Sequence, residues 1–283
     1  MPDITELKKK YLELYSEKRC GLTDSYLCNK DVCQCSVMSE IKALIDLTIP
    51  EGFRSFNIGD FSGLDSSGEK ILEDDVARKA KEDIIGYIWK NVSIKNIYSK
   101  TTQELVENSL MDKRVSSGQN IVIHGKPQKQ IISDYAGDSK VAYRPTGKTF
   151  IASILTKEAI KLRVYSDKHR YMRYGWIGFS SLLSVLSSQE NEVDYLDSEW
   201  LVVEDIPFKY LSASSPQHVF NQRLLDPFFA HRLKHKKTTV LVFKFDIDTN
   251  RGLIEDAFGT NIVKIIDDKK TLMVSLTRKN IDG

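Results

Sequence analysis

The chain has 283 residues, of which 41% are hydrophobic and 28% charged, with a formal net charge of +2. That length holds one large or two small domains, and the composition excludes a wholly disordered chain. The near-neutral balance excludes a global field for nucleic acid and leaves only local patches. No apolar run approaches the length of a bilayer span, and the opening Met-Pro-Asp-Ile-Thr-Glu lacks a signal-peptide pattern. The expected setting is therefore cytoplasmic, with no membrane partner.

Residues 4–18 carry Ile4, Leu7, Tyr11, Leu14 and Tyr15 at helical spacing, which predicts an amphipathic helix. All four cysteines follow at once: Cys20, Cys28, Cys33 and Cys35. In a reducing compartment four clustered thiols make a tetrahedral zinc site that holds together a segment too short for its own core. Their spacing is not that of paired two-residue knuckles, and a set of plain thiols is the competing reading. Ser36 to Leu47 reads as a second helix, ended by Ile49-Pro50-Glu51-Gly52. Residues 62–69 form a polar linker, Ile71 to Val92 is helical by pattern, and Thr102 to Lys113 predicts a further helix.

Asn120-Ile121-Val122-Ile123-His124 is the first core strand, and Thr146-Gly147-Lys148-Thr149 opens an amphipathic run from Phe150 to Leu162. Strand, glycine-bearing loop, Gly-Lys-Thr and helix make a phosphate-binding P-loop. Backbone N–H groups face the phosphates, a side chain on Gly147 blocks that approach, and Lys148 supplies a point charge to the β- and γ-phosphates. The Thr149 hydroxyl is placed to ligate Mg²⁺. The spacing is irregular. The position of the usual first glycine is Ala142, whereas deleting residues 129–145 joins Gly125-Lys126-Pro127-Gln128 to Thr146-Gly147-Lys148-Thr149 as a regular loop. An insertion inside the P-loop is the better explanation, and a cut one residue earlier works equally well.

Leu162 to Tyr165 is a short strand candidate. In the basic-aromatic stretch that follows, Lys168, Arg170, Tyr171, Arg173 and Trp176 have the chemistry to meet single-stranded DNA, aromatic faces stacking on bases while cations meet phosphates. Packing of those aromatics into the core is the alternative. Ile177 to Ser187 reads as helix and Glu190 to Glu199 as an acidic connector. Trp200 to Ile206 is a buried strand carrying Glu204 and Asp205 near its carboxyl end, where ligands of a parallel sheet collect. The pair can hold the Mg²⁺ shell and orient water for attack on the γ-phosphate, which makes Glu204 and Asp205 the candidate catalytic residues. A helix from Ser214-Ser215-Pro216-Gln217 runs to Leu233, and the basic run His231 to Lys237 is a solvated turn or a phosphate-facing surface. Thr239 to Phe243 is a strand, Ile254 to Phe258 a short helix, Asn261 to Ile266 a strand and Leu272 to Leu276 the last strand. Alternation of strands and helices predicts an α/β fold with a largely parallel sheet.

In this order the motifs resemble the DnaC/DnaI family of replicative helicase loaders, AAA+ ATPases related to the IstB transposition helpers. The resemblance rests on the cluster ending Cys33-Gln34-Cys35, on Ile49 to Arg54, on the P-loop, on Leu201-Val202-Val203-Glu204-Asp205-Ile206 and on Thr239 to Val242. It implies an AAA+ P-loop NTPase core, a parallel sheet flanked by helices, over residues 115–283 without a C-terminal lid. A small helical zinc-binding, partner-binding region spans 1–48, and a linker and helical segment spans 49–114. It also implies ATP, Mg²⁺ and Zn²⁺ as cofactors, with Gly125, Thr146, Gly147, Lys148 and Thr149 on the nucleotide. Thr149 and Asp205 would hold magnesium, and Cys20, Cys28, Cys33 and Cys35 zinc. A hexameric replicative helicase and single-stranded DNA are the implied partners, with self-association through the AAA+ domain. Lys244 stands where the family has a polar sensor asparagine, and Glu255-Asp256 where it has the Ser-Arg pair of an arginine finger, with Arg251 as a substitute. Those departures predict nucleotide binding with slow hydrolysis, since a finger is worth about 10³–10⁵ in rate. An IstB-like transposition ATPase and a degenerate AAA+ adaptor are the alternatives.

Overall fold

The computed structural model describes residues 36–55, 58–61, 74–93, 108–126, 128–133, 139–144, 147–165, 173–188, 192–211 and 217–276. The four cysteines, the 4–18 helix, the 62–69 linker, Thr146, Lys168, Arg170 and Tyr171 lie outside them.

The elements in chain order begin with helices α1 (Ser36–Thr48), α2 (Asp74–Ile88) and α3 (Met111–Ser116), then strand β1 (Ile121–His124). A hairpin of β2 (Gln128–Ser133) and β3 (Ser139–Arg144) precedes α4 (Lys148–Tyr165). β4 (Tyr174–Gly178), α5 (Phe179–Ser188), α6 (Glu192–Asp197) and β5 (Trp200–Ile206) follow. The chain continues with α7 (Gln217–Lys234), β6 (Thr238–Phe243), α8 (Arg251–Phe258), α9 (Thr260–Asp267) and β7 (Leu272–Ser275).

Five strands form one sheet in the order β4-β5-β6-β1-β7, every neighbouring pair parallel. Strands buried on both faces need apolar residues at every position rather than at alternate ones. β6 is buried from Thr238 to Phe243 and β1 from Ile121 to His124. The pleat divides them between two cores. Ile121, Ile123, Val202, Val240 and Val274 pack with α1 to α4, while Val122, Leu201, Val203 and Leu241 pack with α5 and α7 to α9. Because the chain leaves β1 for the far edge and later crosses to β7 on the other side, β1 sits where strand order reverses. Ligands of open parallel sheets bind at the carboxyl ends of strands at such a point.

The hairpin accounts for the irregular spacing between β1 and α4. Gln128 to Arg144 pair antiparallel, with Ala142 opposite Gln130, outside the five-stranded sheet. Ala142 is thus a hairpin residue, and Gly125, directly after β1, begins the loop. The inserted segment starts one residue earlier than the first cut.

Five local expectations are overturned. Leu162 to Tyr165 continue α4, because no glycine or proline interrupts an 18-residue helix. That helix is not amphipathic: every residue from Ile151 to Leu162 is buried, α1 and α3 covering what the sheet leaves open. Ile177 belongs to β4, with the helix starting only at Phe179, and the acidic connector contains the helix α6. Asn261 to Ile266 form a helix rather than a strand. Its buried Ile262, Ile265 and Ile266 recur at helical spacing, and the Asp226 carboxylate accepts the Asn261 N–H at 2.8 Å.

Burial of the middle of α4 encloses the ionisable side chains Lys157, Glu158 and Lys161. Lys157 Nζ donates to the Arg54 carbonyl at 2.6 Å, and Lys161 Nζ lies 3.1 Å from Glu158 Oε1. Burial, and then the Lys161 charge, pull the Lys157 ammonium down to about 7, against Glu158 and Asp60. Burial likewise brings Lys161 down to about 8 and pushes Glu158 up. Both lysines titrate lower in the folded chain than in the unfolded one. The unfolded state therefore binds more protons between about pH 7 and 10, and stability rises with pH across that window. Below it both states are protonated and the contribution is flat. The unfolding midpoint of the protein should rise between about pH 7 and 9, and rise less in Lys157→Met. Equal slopes in thermal melts of the two proteins would contradict this.

Candidate nucleotide site

Every side chain of the site stands at the carboxyl edge of the sheet. Lys148 is the first residue of α4, and its ammonium, 8% exposed, donates to the Gly125 carbonyl at 3.0 Å. Two glycines shape the approach. Gly125 has φ +146°, and a Cβ there would meet the Leu276 carbonyl carbon at 2.8 Å. Gly147 has φ +78°, and a Cβ there would meet the Phe61 ring at 2.9 Å. The sequence reading gave Gly147 to phosphate clearance alone; Phe61, which also stacks on Phe150 at 5.6 Å, is a second reason for glycine. Phe61 lies far from any motif, so only packing identifies it.

Opposite Lys148, β5 delivers its carboxylates through an irregularity. The register with β6 shifts between Val203 and Ile206, and Asp205 takes φ +62°. A non-glycine residue in the left-handed region is strained by roughly 1–2 kcal/mol, and such strain collects at functional sites. The shift turns Asp205 outward, half exposed, while Glu204 remains partly buried. Asp205→Gly should be more stable than Asp205→Ala by about 1 kcal/mol, because both lose the carboxylate and only glycine loses the strain. Equal denaturation midpoints for the two variants would remove the strain from the account.

Lys244, just past β6, places its Nζ 2.9 Å from Asp205 Oδ2. The position read as a lost sensor is thus an ammonium resting on the carboxylate expected to hold magnesium. Burial, then Lys244, pull the Lys148 ammonium down to about 8, against the charges of Asp205 and Asp246. Burial pushes the Glu204 carboxyl up. The Trp176 indole, which makes no full hydrogen bond to it, and Lys244 oppose that rise, and Asp205 adds to it.

The Thr149 hydroxyl on the first helical turn and the outward Asp205 carboxylate are hard oxygen donors, the type magnesium takes along with phosphate oxygens. They fit the ion once Lys244 moves aside, and both Lys244 and Asp205 are about half exposed. The remaining expected residues divide. Gly125, Gly147, Lys148, Thr149, Glu204 and Asp205 gather at this edge. Arg173 and Trp176 flank and enter β4: Arg173 pairs with Asp194 at 2.8 Å, and Trp176 packs against the core. Arg251 pairs with Asp267 of α9. The basic run His231 to Lys237 precedes β6, at the opposite edge from Lys148, and its Arg232 is fully buried.

No family model matches the chain, and no curated protein matches it. Among solved structures it is similar to the DnaC helicase loader, with 17% identity and a TM-score of 0.39 over 70% of this chain and 97% of that one. The chain is similar in structure to a helicase loader. It is also similar to a primosome component from Streptococcus pyogenes serotype M3, with 11% identity and a TM-score of 0.44 over 84% of this chain and 95% of that one. A third similarity is to AMPPCP-bound DnaA from Aquifex aeolicus, with 15% identity and a TM-score of 0.36 over 58% of this chain and 44% of that one. Among the described residues no helix is long and apolar enough to cross a membrane.

Proposed function

We propose that this chain is an ATP-binding replication accessory protein of the loader type. ATP with Mg²⁺ binds at the carboxyl edge of the sheet. One observation carries the reading: Lys148, Asp205 and Lys244, from three elements distant in sequence, meet at the loop between β1 and α4. There Lys148 meets the β- and γ-phosphates, amides of Gly147 and the first turn of α4 line the oxygens, and Thr149 with Asp205 and Glu204 holds the metal. The bound metal supplies charge neutralisation between the terminal phosphates. Thr146 completes the loop.

Within residues 1–48 the segment with zinc on Cys20, Cys28, Cys33 and Cys35 engages a hexameric replicative helicase, while α1 and the helices of the 49–114 segment pack on the ATPase sheet. Lys168, Arg170, Tyr171 and Arg173 touch single-stranded DNA, Trp176 being taken up by the core instead, and ATPase units associate with one another in the cytoplasm. The Lys244–Asp205 pair favours a second reading, a degenerate AAA+ adaptor insensitive to nucleotide, because the ammonium competes with the metal for one carboxylate.

The test is capture of purified partners by the full chain with and without ATP. Retention of a hexameric replicative helicase, together with preference for single-stranded DNA, supports the loader reading. Retention of a transposase and preference for duplex DNA would replace it with the IstB-like alternative. Partner capture indifferent to ATP in wild type and Lys148→Ala alike would leave the adaptor.

A further inference from the structure

Beside the phosphate loop stands a second group of donors that the nucleotide reading does not use. His124 ends β1, Asp246 follows β6, and Asp248 lies two residues on. One donor atom from each falls within 4.8 Å of the others. Asp246 is buried and Asp248 exposed, and the Asp246 carboxylate accepts the Asp248 N–H at 3.1 Å, which folds the turn so that both acids face one space.

His124 supplies the independent sign of a ligand. It is 1% exposed, and its Nδ1 makes no well-aligned hydrogen bond: its one near neighbour among the described side chains, Asp246 Oδ1 at 3.3 Å, is itself one of the three donors. A buried nitrogen left unpaired costs about 1–3 kcal/mol, and such atoms call for an explanation such as an ion. Burial pulls the imidazole below its ordinary range, against Asp248 and Asp246 and with Lys148.

We propose that His124, Asp246 and Asp248 form a divalent-metal site of their own, distinct from the Thr149–Asp205 position, that takes a first-row transition cation such as manganese. One imidazole and two carboxylates suit such an ion better than magnesium, which prefers oxygen alone. Three protein ligands leave positions open for water or a phosphate oxygen, as in sites that act on a ligand rather than brace a fold. The place is apt: His124 directly precedes Gly125, whose carbonyl accepts the Lys148 hydrogen bond. The exposed Asp248 side chain can rotate onto the ion. The site does not require nucleotide, so it stands or falls apart from ATP binding.

The experiment is titration of the magnesium-free full chain with Mn²⁺ alone, free Mn²⁺ being read by electron paramagnetic resonance. Manganese disfavours thiolates, so the cysteines do not interfere. About one Mn²⁺ should bind per chain without nucleotide. Asp248→Asn and His124→Gln should each weaken it by about tenfold or more, and Asp205→Asn should leave it in place. Asp248 is exposed, so its variant reports binding rather than folding; an unchanged melting midpoint confirms that. Absence of Mn²⁺ binding, equal affinity in Asp248→Asn, or loss in Asp205→Asn with retention in Asp248→Asn would each overturn the proposal.

Discussion

Arg232→Met should lower the stability of the fold by about 3–5 kcal/mol, a large part of the roughly 5–15 kcal/mol that holds a domain folded. The guanidinium is fully buried near the carboxyl end of α7. Its Nη1 donates to the carbonyls of Tyr195, Leu196 and Ser198 at 2.6, 3.2 and 2.9 Å. Its Nη2 donates to the Thr238 carbonyl at 2.7 Å, and its Nε to Thr239 Oγ1 at 3.0 Å. One side chain thus fastens the α6–β5 turn to the start of β6. Methionine keeps the length and the apolar stem but donates nothing, leaving the buried Ser198 and Thr238 carbonyls without this donor. Burial brings the guanidinium down to about 9 against Glu199 and Asp197, a sign of how fully it has left solvent. Arg232→Lys should fall between the two, since one ammonium cannot span donors spread across a planar fork. Chemical denaturation measures the midpoints; a methionine variant as stable as the original would show the network to be dispensable.

This arginine shows where sequence reading stops. Within His231 to Lys237 it looked like any other cation, because its role depends on carbonyls from Tyr195 to Thr238 that only the fold brings together. The core strands were legible for the opposite reason. Ile121-Val122-Ile123, Leu201-Val202-Val203 and Val240-Leu241-Val242 are continuous apolar runs, the pattern two-sided burial demands. Short β-branched runs misled where helix contacts decided the outcome. Ile262, Ile265 and Ile266 fit a buried helix face as well as a strand, and the capping carboxylate of Asp226 is remote in sequence.

At the candidate site, the grouping of Gly125, Lys148, Glu204 and Asp205 was legible because strand ends and a helix start can be read from sequence, and the fold brings the four to one edge of the sheet. The insertion was legible too, but not its form: the choice between Ala142 and Gly125 needed the pairing of Gln128 to Ser133 with Ser139 to Arg144. Lys244 was read as a loss when it is a placed charge, since its partner Asp205 turns outward only through the register shift in β5. His124 passed as a strand residue, and its unpaired nitrogen is invisible without coordinates.

The second large effect follows from Lys148. Its ammonium is nearly enclosed, donates only one described hydrogen bond, and is pulled down to about 8 by burial and by Lys244. An incompletely partnered buried cation is unfavourable in the free protein and becomes favourable when an anion arrives. Lys148→Ala should therefore leave the melting midpoint unchanged or raised while weakening ATP binding. Charge-assisted hydrogen bonds contribute about 1.5–3 kcal/mol each, and with a phosphate in place of the carbonyl more than one forms, so the loss should be about a hundredfold or more. Calorimetric titration of the full chain and of Lys148→Ala with ATP and Mg²⁺ decides the matter. The account predicts saturable binding to the first and little or none to the second, with both proteins folded; equal affinity for the two would contradict it.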